Sequence, residues 1–584
     1  MIDSGINDAN IQLLTEGYWY EELPPIIDIE KLKESVKKVF SNIADGNYDK
    51  EFKKSDSGYI TEFKAVTPPE YIFNDGMEPI TYFEFKRNNA LREMQIPNIK
   101  YYMSFIYNAI MAYDELYKKL YTDDSLSRYV AFSNSYLMFN ERFLVHRDYD
   151  GMEELVSEGI FAVKNHKRTG QLSYERNNKR YLSAQGSKLY AVKVDIESFF
   201  PNIYTHYLSK IKNFEPFKSH FNANEYFDFL DYYNMKTNNN QTKGIAAGVF
   251  SSTVSAELLM LCVDNEINEV LGEDIEYLRY VDDMTFFSDS LEAIYAKIPL
   301  VQQVLNRYRL RINNNKTEEQ KTIYTGTHVD IYEIKKQFPC FFFEEDEKRT
   351  LNKDLFYNMK AFIAKKYEEQ KISEIKAFIK MLGTAIEKQT LILYEDDEIN
   401  GFEVYISAYM LQLACTEPVL ASRCYRVIQA LLDKTKEEKE ESYNKILEQL
   451  QLKTKFINVS YHDSLLQIWH YYIISRYSED TSIEDISNSF NDVDINPLIV
   501  SCFIKTGDGL NKEVVKYIKS RYKLMEKCET EDSWMNTIMF SKWWLPLFLI
   551  NVNDSTNYYK FFESNHFNQV YKDISMGIRS AHEE

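Results

Sequence analysis

Apolar and polar positions alternate with a period of two in a few short runs and with a helical period almost everywhere else. From Leu278 to Phe287 the chain reads LRYVDDMTFF: an apolar run, two adjacent carboxylates, a second apolar run. This predicts a β-hairpin over 275–288 with Asp282 and Asp283 at its turn. A second β-rich run, Leu189–Val194, ends on Asp195. A third, Thr81–Phe85, leads into Lys86 and Arg87, followed by Arg92 and the short apolar run Met94–Ile96. That order predicts a hairpin carrying cations. Leu310–Ile312 predicts a short strand before a polar turn with Lys316, and Pro339–Glu345 a further aromatic strand. Helical spacing predicts helices over 29–43, 99–120, 123–140, 222–236 and 291–309. A long helix follows a loop containing Gly244 and Gly248, with Ser251 or Ser252 placed to cap it.

After about residue 350 the strand signals stop. Amphipathic helices are predicted at 354–369, 372–389, 402–415, 418–433, 440–452, 463–477, 512–526 and 534–550. They share no repeat period, so an α-solenoid-like or irregular helical domain is expected. The pattern divides the chain into an α+β part, 1–345, and an all-α part, 346–584. The run KTKEEKEE (434–441) reads as a solvated helix face or linker.

Composition supports this division. Of 584 residues 44% are hydrophobic, enough for two to four domains with real cores. Glycine and proline number only 18 and 13, which favours long helices over tight turns. The six cysteines are scattered without a CxxC pair, which fits a reduced cytoplasmic protein without a zinc site. The N-terminus is polar and unlike a signal peptide. Trp543–Val552 is apolar but too short to span a membrane and reads as a core helix.

The net charge of −20 argues against loose binding to duplex DNA. A nucleic-acid enzyme of this charge needs its cations concentrated. Residues 164–188 provide one concentration: Lys164, Lys167, Arg168, Arg176, Lys179, Arg180 and Lys188 with Glu175 as the one acid. A solvated charged loop is the plainer account of that stretch.

The candidate chemistry is a set of carboxylates at strand ends. Two acids at a turn between buried strands are electrostatically costly, and a divalent cation removes the cost. Asp195 at a strand's end suits a metal ligand or a helix N-cap. Lys86 and Arg92 suit a triphosphate, as a point charge and a planar fork, or simply flank an edge strand.

Taken in order, KRNNALREMQIP, KVDIESFF, GIAAGVFSS, YVDD and LRINNNKT resemble the fingers pattern and motifs A to D of reverse transcriptases. The resemblance covers roughly residues 80–345. It departs where motif B normally offers Gln before Gly: here Ala247 precedes Gly248. Neither a thumb nor an RNase H segment is recognisable after motif D. With EFKKSDS (51–57) and LREMQIPNIKYYM, these departures resemble the abortive-infection, AbiK-like reverse transcriptases of the bacterial defence-associated "unknown group".

That resemblance implies fingers and palm within 1–345, a helical C-terminal domain, a homo-oligomer, and anti-phage defence through DNA synthesis from dNTPs. It also implies synthesis without a template, primed from a protein tyrosine, leaving a single-stranded DNA product covalently attached. A templated enzyme using a dedicated RNA, or a non-catalytic nucleic-acid-binding scaffold, are the alternatives. In the polymerase reading, Asp195 and Asp282 bridge two Mg2+ ions (or Mn2+), Asp283 supports them, and the Ile196 carbonyl completes the shell. Lys86 and Arg92 hold the β- and γ-phosphates, and Lys316 protonates pyrophosphate. Phe200 lies under the sugar and favours dNTPs, while Gly248 lets the helix start approach base or template. Tyr48 and Tyr59 are the candidate priming residues, against the plainer reading of surface or packing tyrosines.

Overall fold

The computed structural model describes residues 8–64, 76–87, 89–130, 180–324, 331–341, 349–388, 391–392, 401–478, 494–504 and 539–553, with short pieces at 145–147, 153–155, 514, 516–518, 570–571 and 573–574. Most of the basic stretch 164–188 lies outside these residues, as do 342–345 and most of 512–526.

The N-terminal part opens with helices α1 (Asp8–Glu16) and α2 (Ile29–Ala44) and a small hairpin, β1 (Phe52–Lys54) and β2 (Ile60–Phe63). Strands β3 (Ile80–Phe85) and β4 (Leu91–Ile96) pair antiparallel, as the alternation predicts. Ile80, Tyr82, Met94 and Ile96 form the buried face. The turn closes with the Lys86 N–H donating to the Ala90 carbonyl at 2.8 Å. Helix α3 (Ile99–Met111) is capped by Asn98 and gives way to a π-turn, Tyr113–Lys118, where one unbroken helix was expected.

The central sheet has four strands: β5 (Tyr190–Asp195), β6 (Glu276–Tyr280), β7 (Asp283–Ser288) and β8 (Glu318–Lys321). Their spatial order is β8–β5–β7–β6, antiparallel throughout. Helices α4 (Asn224–Thr237), α5 (Phe250–Leu271) and α6 (Leu291–Arg307) surround it. Helix α5 is buried from Ser251 to Asp264 apart from Thr253, and beyond that at Ile267 and Leu271. Its cap differs from expectation. Val249 stands at the N-cap without a side-chain bond. The first free N–H, from Phe250, donates instead to the Gly17 carbonyl at 2.8 Å.

Residues 339–341 form a 3-10 turn, not a strand. Phe338 and Phe341 stack on each other and meet Phe378 edge-on and tilted, so aromatic packing against helices explains the pattern that suggested β-structure. The helical region comprises α7 (Ile331–Gln337), α8 (Lys353–Glu368), α9 (Ile372–Glu387), α10 (Phe402–Thr416), α11 (Ala421–Glu438), α12 (Glu440–Ser460), α13 (Leu465–Tyr477), α14 (Pro497–Cys502) and α15 (Trp544–Asn553). Helix α11 packs on α9, α10, α12 and α13, and α10 packs on α12. KTKEEKEE is mostly helix, broken only at Lys439. Among the described residues no helix is long and apolar enough to cross a membrane.

The two parts share surface. The Phe83 N–H on the open edge of β3 donates to the Asp463 carbonyl at 2.8 Å, which covers that edge. The stretch GYWYEELPP lies between them. Trp469 donates to the Glu22 carbonyl at 2.7 Å, and Arg423 pairs with Glu22 at 2.5 Å.

Candidate active site

Strand register brings two of the predicted carboxylates face to face: Asp195 at the end of β5 pairs across the ladder with Asp283 at the start of β7. Asp282 sits in the turn just before it. The backbone ties the three together, since the Ile196 N–H donates to the Asp282 carbonyl at 3.2 Å. Asp195 is a strand end and not a helix cap. The next helical turn, Phe199–Asn202, starts after Ser198, which has φ 46° and bends the chain away.

The turn itself is strained. Val281, a β-branched residue, has φ 55°. A buried guanidinium holds it there: Arg279 Nη1 donates to the Val281 carbonyl at 3.0 Å. The rest of that fork is spent on α5. Nη1 and Nη2 reach Glu257 at 2.8 and 2.9 Å, and Nε and Nη2 reach Asp264 at 2.9 and 2.7 Å. The Tyr277 hydroxyl donates to the same Asp264 at 2.9 Å. Arg279 and Asp264 are fully buried and Glu257 is 3% exposed. This clamp was missed in the sequence. Its signal was an arginine inside an apolar strand, with two acids seven residues apart on the next helix upstream, hence on one face.

Cations converge on the acids. Lys316 Nζ lies 2.9 Å from Asp195 Oδ2, and Asn313 Nδ2 donates to the same oxygen at 3.2 Å. Lys86 is pushed down, first by its own burial and then by Arg92 and Lys316; Asp195 and Asp282 pull the other way. Its field therefore couples the β3–β4 turn to the carboxylates. Arg92 also pairs with Glu84 at 3.8 Å. Burial, then Asp195, pushes Asp282 up. Burial, then Asp282 and Asp195, pushes Asp283 up to about 6.

Mutual repulsion among oxygen donors is the condition a hard divalent cation relieves, so the donor chemistry fits one. The side chains are not gathered as a cage: among the described residues no three His, Cys, Asp or Glu groups stand close enough to hold a metal. Asp195 is turned toward Asn313 and Lys316 instead. The backbone thus brings Asp195, Asp282 and Asp283 together, while ligand geometry requires side-chain rotation.

Phe200 is half-buried against Phe199, ring centroids 5.3 Å apart. Its carbonyl accepts from Ile245 at 3.1 Å, which docks the glycine loop beside it. The Ala247 carbonyl accepts from Gln95 of β4 at 3.0 Å. Gly248 has φ 101°, and a Cβ there would stand 2.7 Å from Met94 Cε. The backbone conformation requires the glycine, and a Cβ would also displace the flexible end of Met94. Tyr48 is buried, its hydroxyl held by Asp573 and Asn42, and so is not presented to the acids. Tyr59 is half-buried and packs against Tyr226 at 6.4 Å.

Residues 141–333, about a third of the chain, match the family model described as reverse transcriptase (RNA-dependent DNA polymerase). The match contains β5 to β8, the three acids and Lys316. Similar solved structures include telomerase from Candida albicans in complex with a fragment of telomeric RNA, at 12% identity and TM-score 0.25, covering 84% of this chain and 67% of that one. Apo telomerase from Candida tropicalis gives 11% identity and TM-score 0.30, covering 84% of this chain and 72% of that one. No curated protein matches. The chain carries a reverse-transcriptase-type polymerase domain.

Proposed function

We propose that the protein is a divalent-metal-dependent DNA polymerase of reverse-transcriptase type, using dNTPs. The observation that carries this is the pairing of Asp195 with Asp283 beside Asp282, with Lys86, Arg92 and Lys316 coupled to the same acids. In the proposed reaction a hydroxyl attacks the α-phosphate and pyrophosphate leaves. A metal pair, when bound, supplies charge neutralisation at the attacking and leaving oxygens. Asp195, Asp282 and Asp283 are the residues that hold it. Lys86 and Arg92 orient the β- and γ-phosphates. Lys316, its ammonium beside Asp195, delivers a proton to the leaving pyrophosphate. Phe200 bars a 2′-hydroxyl, which favours dNTPs.

The test is purified protein with Mg2+ and dNTPs, with and without primed template. Synthesis that survives Asp282→Ala sinks the site assignment, and no product under either condition sinks the activity.

The finer reading follows the AbiK-like resemblance: untemplated synthesis, a tyrosine primer such as Tyr59, a homo-oligomer, and a role in anti-phage defence in the cytoplasm. Its support is the Ala247–Gly248 pair in place of Gln–Gly. Product that stays bound to protein after denaturation, and that forms after nuclease treatment, supports it. The family model's description as RNA-dependent favours the templated alternative; nuclease-sensitive synthesis and a co-purifying RNA decide for that one.

A further inference from the structure

A cleft of about 950 Å3 opens beside the site, and nothing in the polymerase reading uses it. It is lined by Lys210, Lys243, Arg309 and Arg311, with the rings of Tyr204 and Tyr207 between them. All four cations are exposed. Among the described residues none pairs with a carboxylate, whereas Lys212, a near neighbour, is held by Asp228 at 2.6 Å. Glu197 is the one carboxylate in the lining, and His206 is engaged by Asp231 at 2.9 Å. In a chain of net charge −20, four unpaired cations in one concave surface focus a positive field.

Backbone bonds link two of the cleft's lining segments to Asp195. The Glu197 N–H donates to the Arg311 carbonyl at 2.8 Å, and the Asn313 N–H donates to the Asp195 carbonyl at 2.7 Å. Two of the lining segments, at Glu197 and at Arg311, therefore run toward Asp195, and the helix Thr205–Lys210 and Lys243 line the rest. Tyr204 is 37% exposed, and its backbone bridges to Lys243. Lys210 Nζ lies over the Tyr207 ring at 5.8 Å.

We propose that this cleft binds single-stranded polynucleotide, cations on the phosphates and tyrosine rings against the bases. Cations spread over three chain segments and interleaved with aromatic rings suit a phosphodiester chain better than one compact triphosphate. The strand's connection to the chemistry rests on the polymerase reading; the binding itself does not.

The test is fluorescence anisotropy of labelled oligo(dT) across a NaCl titration, in EDTA, with Asp282→Ala protein so that no synthesis intervenes. The comparison adds Lys210→Gln, Lys243→Gln, Arg309→Asn and Arg311→Gln. Asparagine suits position 309, where φ is 62°. Four lost phosphate contacts lower the slope of log affinity against log salt by about 3, with affinity down about tenfold or more. Unchanged affinity and slope overturn the proposal. Competition by dTTP that vanishes in the variant assigns the cleft to free nucleotide and also overturns it. Should the fourfold variant fail to fold, the pairs Lys210→Gln/Lys243→Gln and Arg309→Asn/Arg311→Gln each carry about half the slope change. Photocrosslinking of bromodeoxyuridine oligonucleotide to wild type must then map to Tyr204 or Tyr207, and crosslinks confined elsewhere overturn the proposal. Oligo(dT) binding in a protein that synthesises nothing leaves the cleft standing and removes the polymerase reading.

Discussion

Removing Arg279 separates two jobs done by one side chain. Arg279→Met takes the guanidinium away from Glu257 and Asp264, which are buried at 3% and 0% exposure. Breaking a buried ion pair by removing one partner costs about 3–5 kcal/mol. Asp264 is already pushed up by burial, with Arg279 opposing that push. Without the arginine it rises further and takes up a proton more readily, so the loss is greater at neutral pH than in mild acid. The Val281 carbonyl also loses the Arg279 bond, and a valine at φ 55° is left to relax, releasing strain of about 1–3 kcal/mol as the turn carrying Asp282 shifts. In a chain of several units a single melting point is ill-defined, so the assay is native-state hydrogen exchange of 276–288 beside DNA synthesis. A loss of about 4 kcal/mol appears as roughly 1,000-fold faster exchange in those strands. Adding Glu257→Gln and Asp264→Asn removes the stranded charges and restores much of the protection. Synthesis stays low, because the Arg279 bond to the Val281 carbonyl is still missing. Near-wild-type exchange in Arg279→Met, or full synthesis in the triple variant, would refute the clamp.

Three further outcomes follow from the geometry. Lys316→Ala removes the ammonium 2.9 Å from Asp195 and lowers single-turnover incorporation by about 10²–10⁴-fold with dNTP affinity little changed; a change confined to KM refutes a proton-donor role. Gly248→Ala places a Cβ 2.7 Å from Met94 Cε at φ 101°, and native-state hydrogen exchange at the start of α5 registers a loss of about 1–3 kcal/mol. Met94→Ala relieves the clash but not the backbone strain, so its rescue is partial. Burial pushes His470 down to about 3, with its ring nitrogens bonded to Tyr425 at 3.1 Å and Thr454 at 2.9 Å. Its folded pKa is below the unfolded value of about 6.5, so the unfolded state binds the proton first and stability falls as pH drops from 6.5 toward 3. At pH 5 this costs about 2 kcal/mol relative to neutral pH. Exchange rates in α13 compared between wild type and His470→Gln check it; equal pH dependence in both refutes it.

Local pattern determined the elements. Alternation gave both hairpins and the strand ending at Asp195, because one buried face imposes a period of two wherever a strand lies on a core. Helical spacing gave 354–369, 372–389, 402–415 and 463–477 to within two residues, and ended 440–452 eight residues short of α12. It misread Pro339–Phe341, the described part of the strand expected over 339–345, since aromatic density does not distinguish a strand from a turn packed on helices. It also offered Ser251 and Ser252 as caps, where tertiary structure supplied the Gly17 carbonyl from more than two hundred residues away. Sequence order and type marked Asp195, Asp282 and Asp283 as candidates. Only the tertiary structure set Asp195 against Asp283, because register between strands nearly ninety residues apart is fixed by the helices that cover them. It alone brought Lys86 into the field of those acids and turned Asp195 toward Lys316. It alone buried Arg279 between two carboxylates, and gathered Lys210, Lys243, Arg309 and Arg311 around one cleft. Charges act through space and the chain's own order does not encode distance, so what surrounds the acids is a property of the fold.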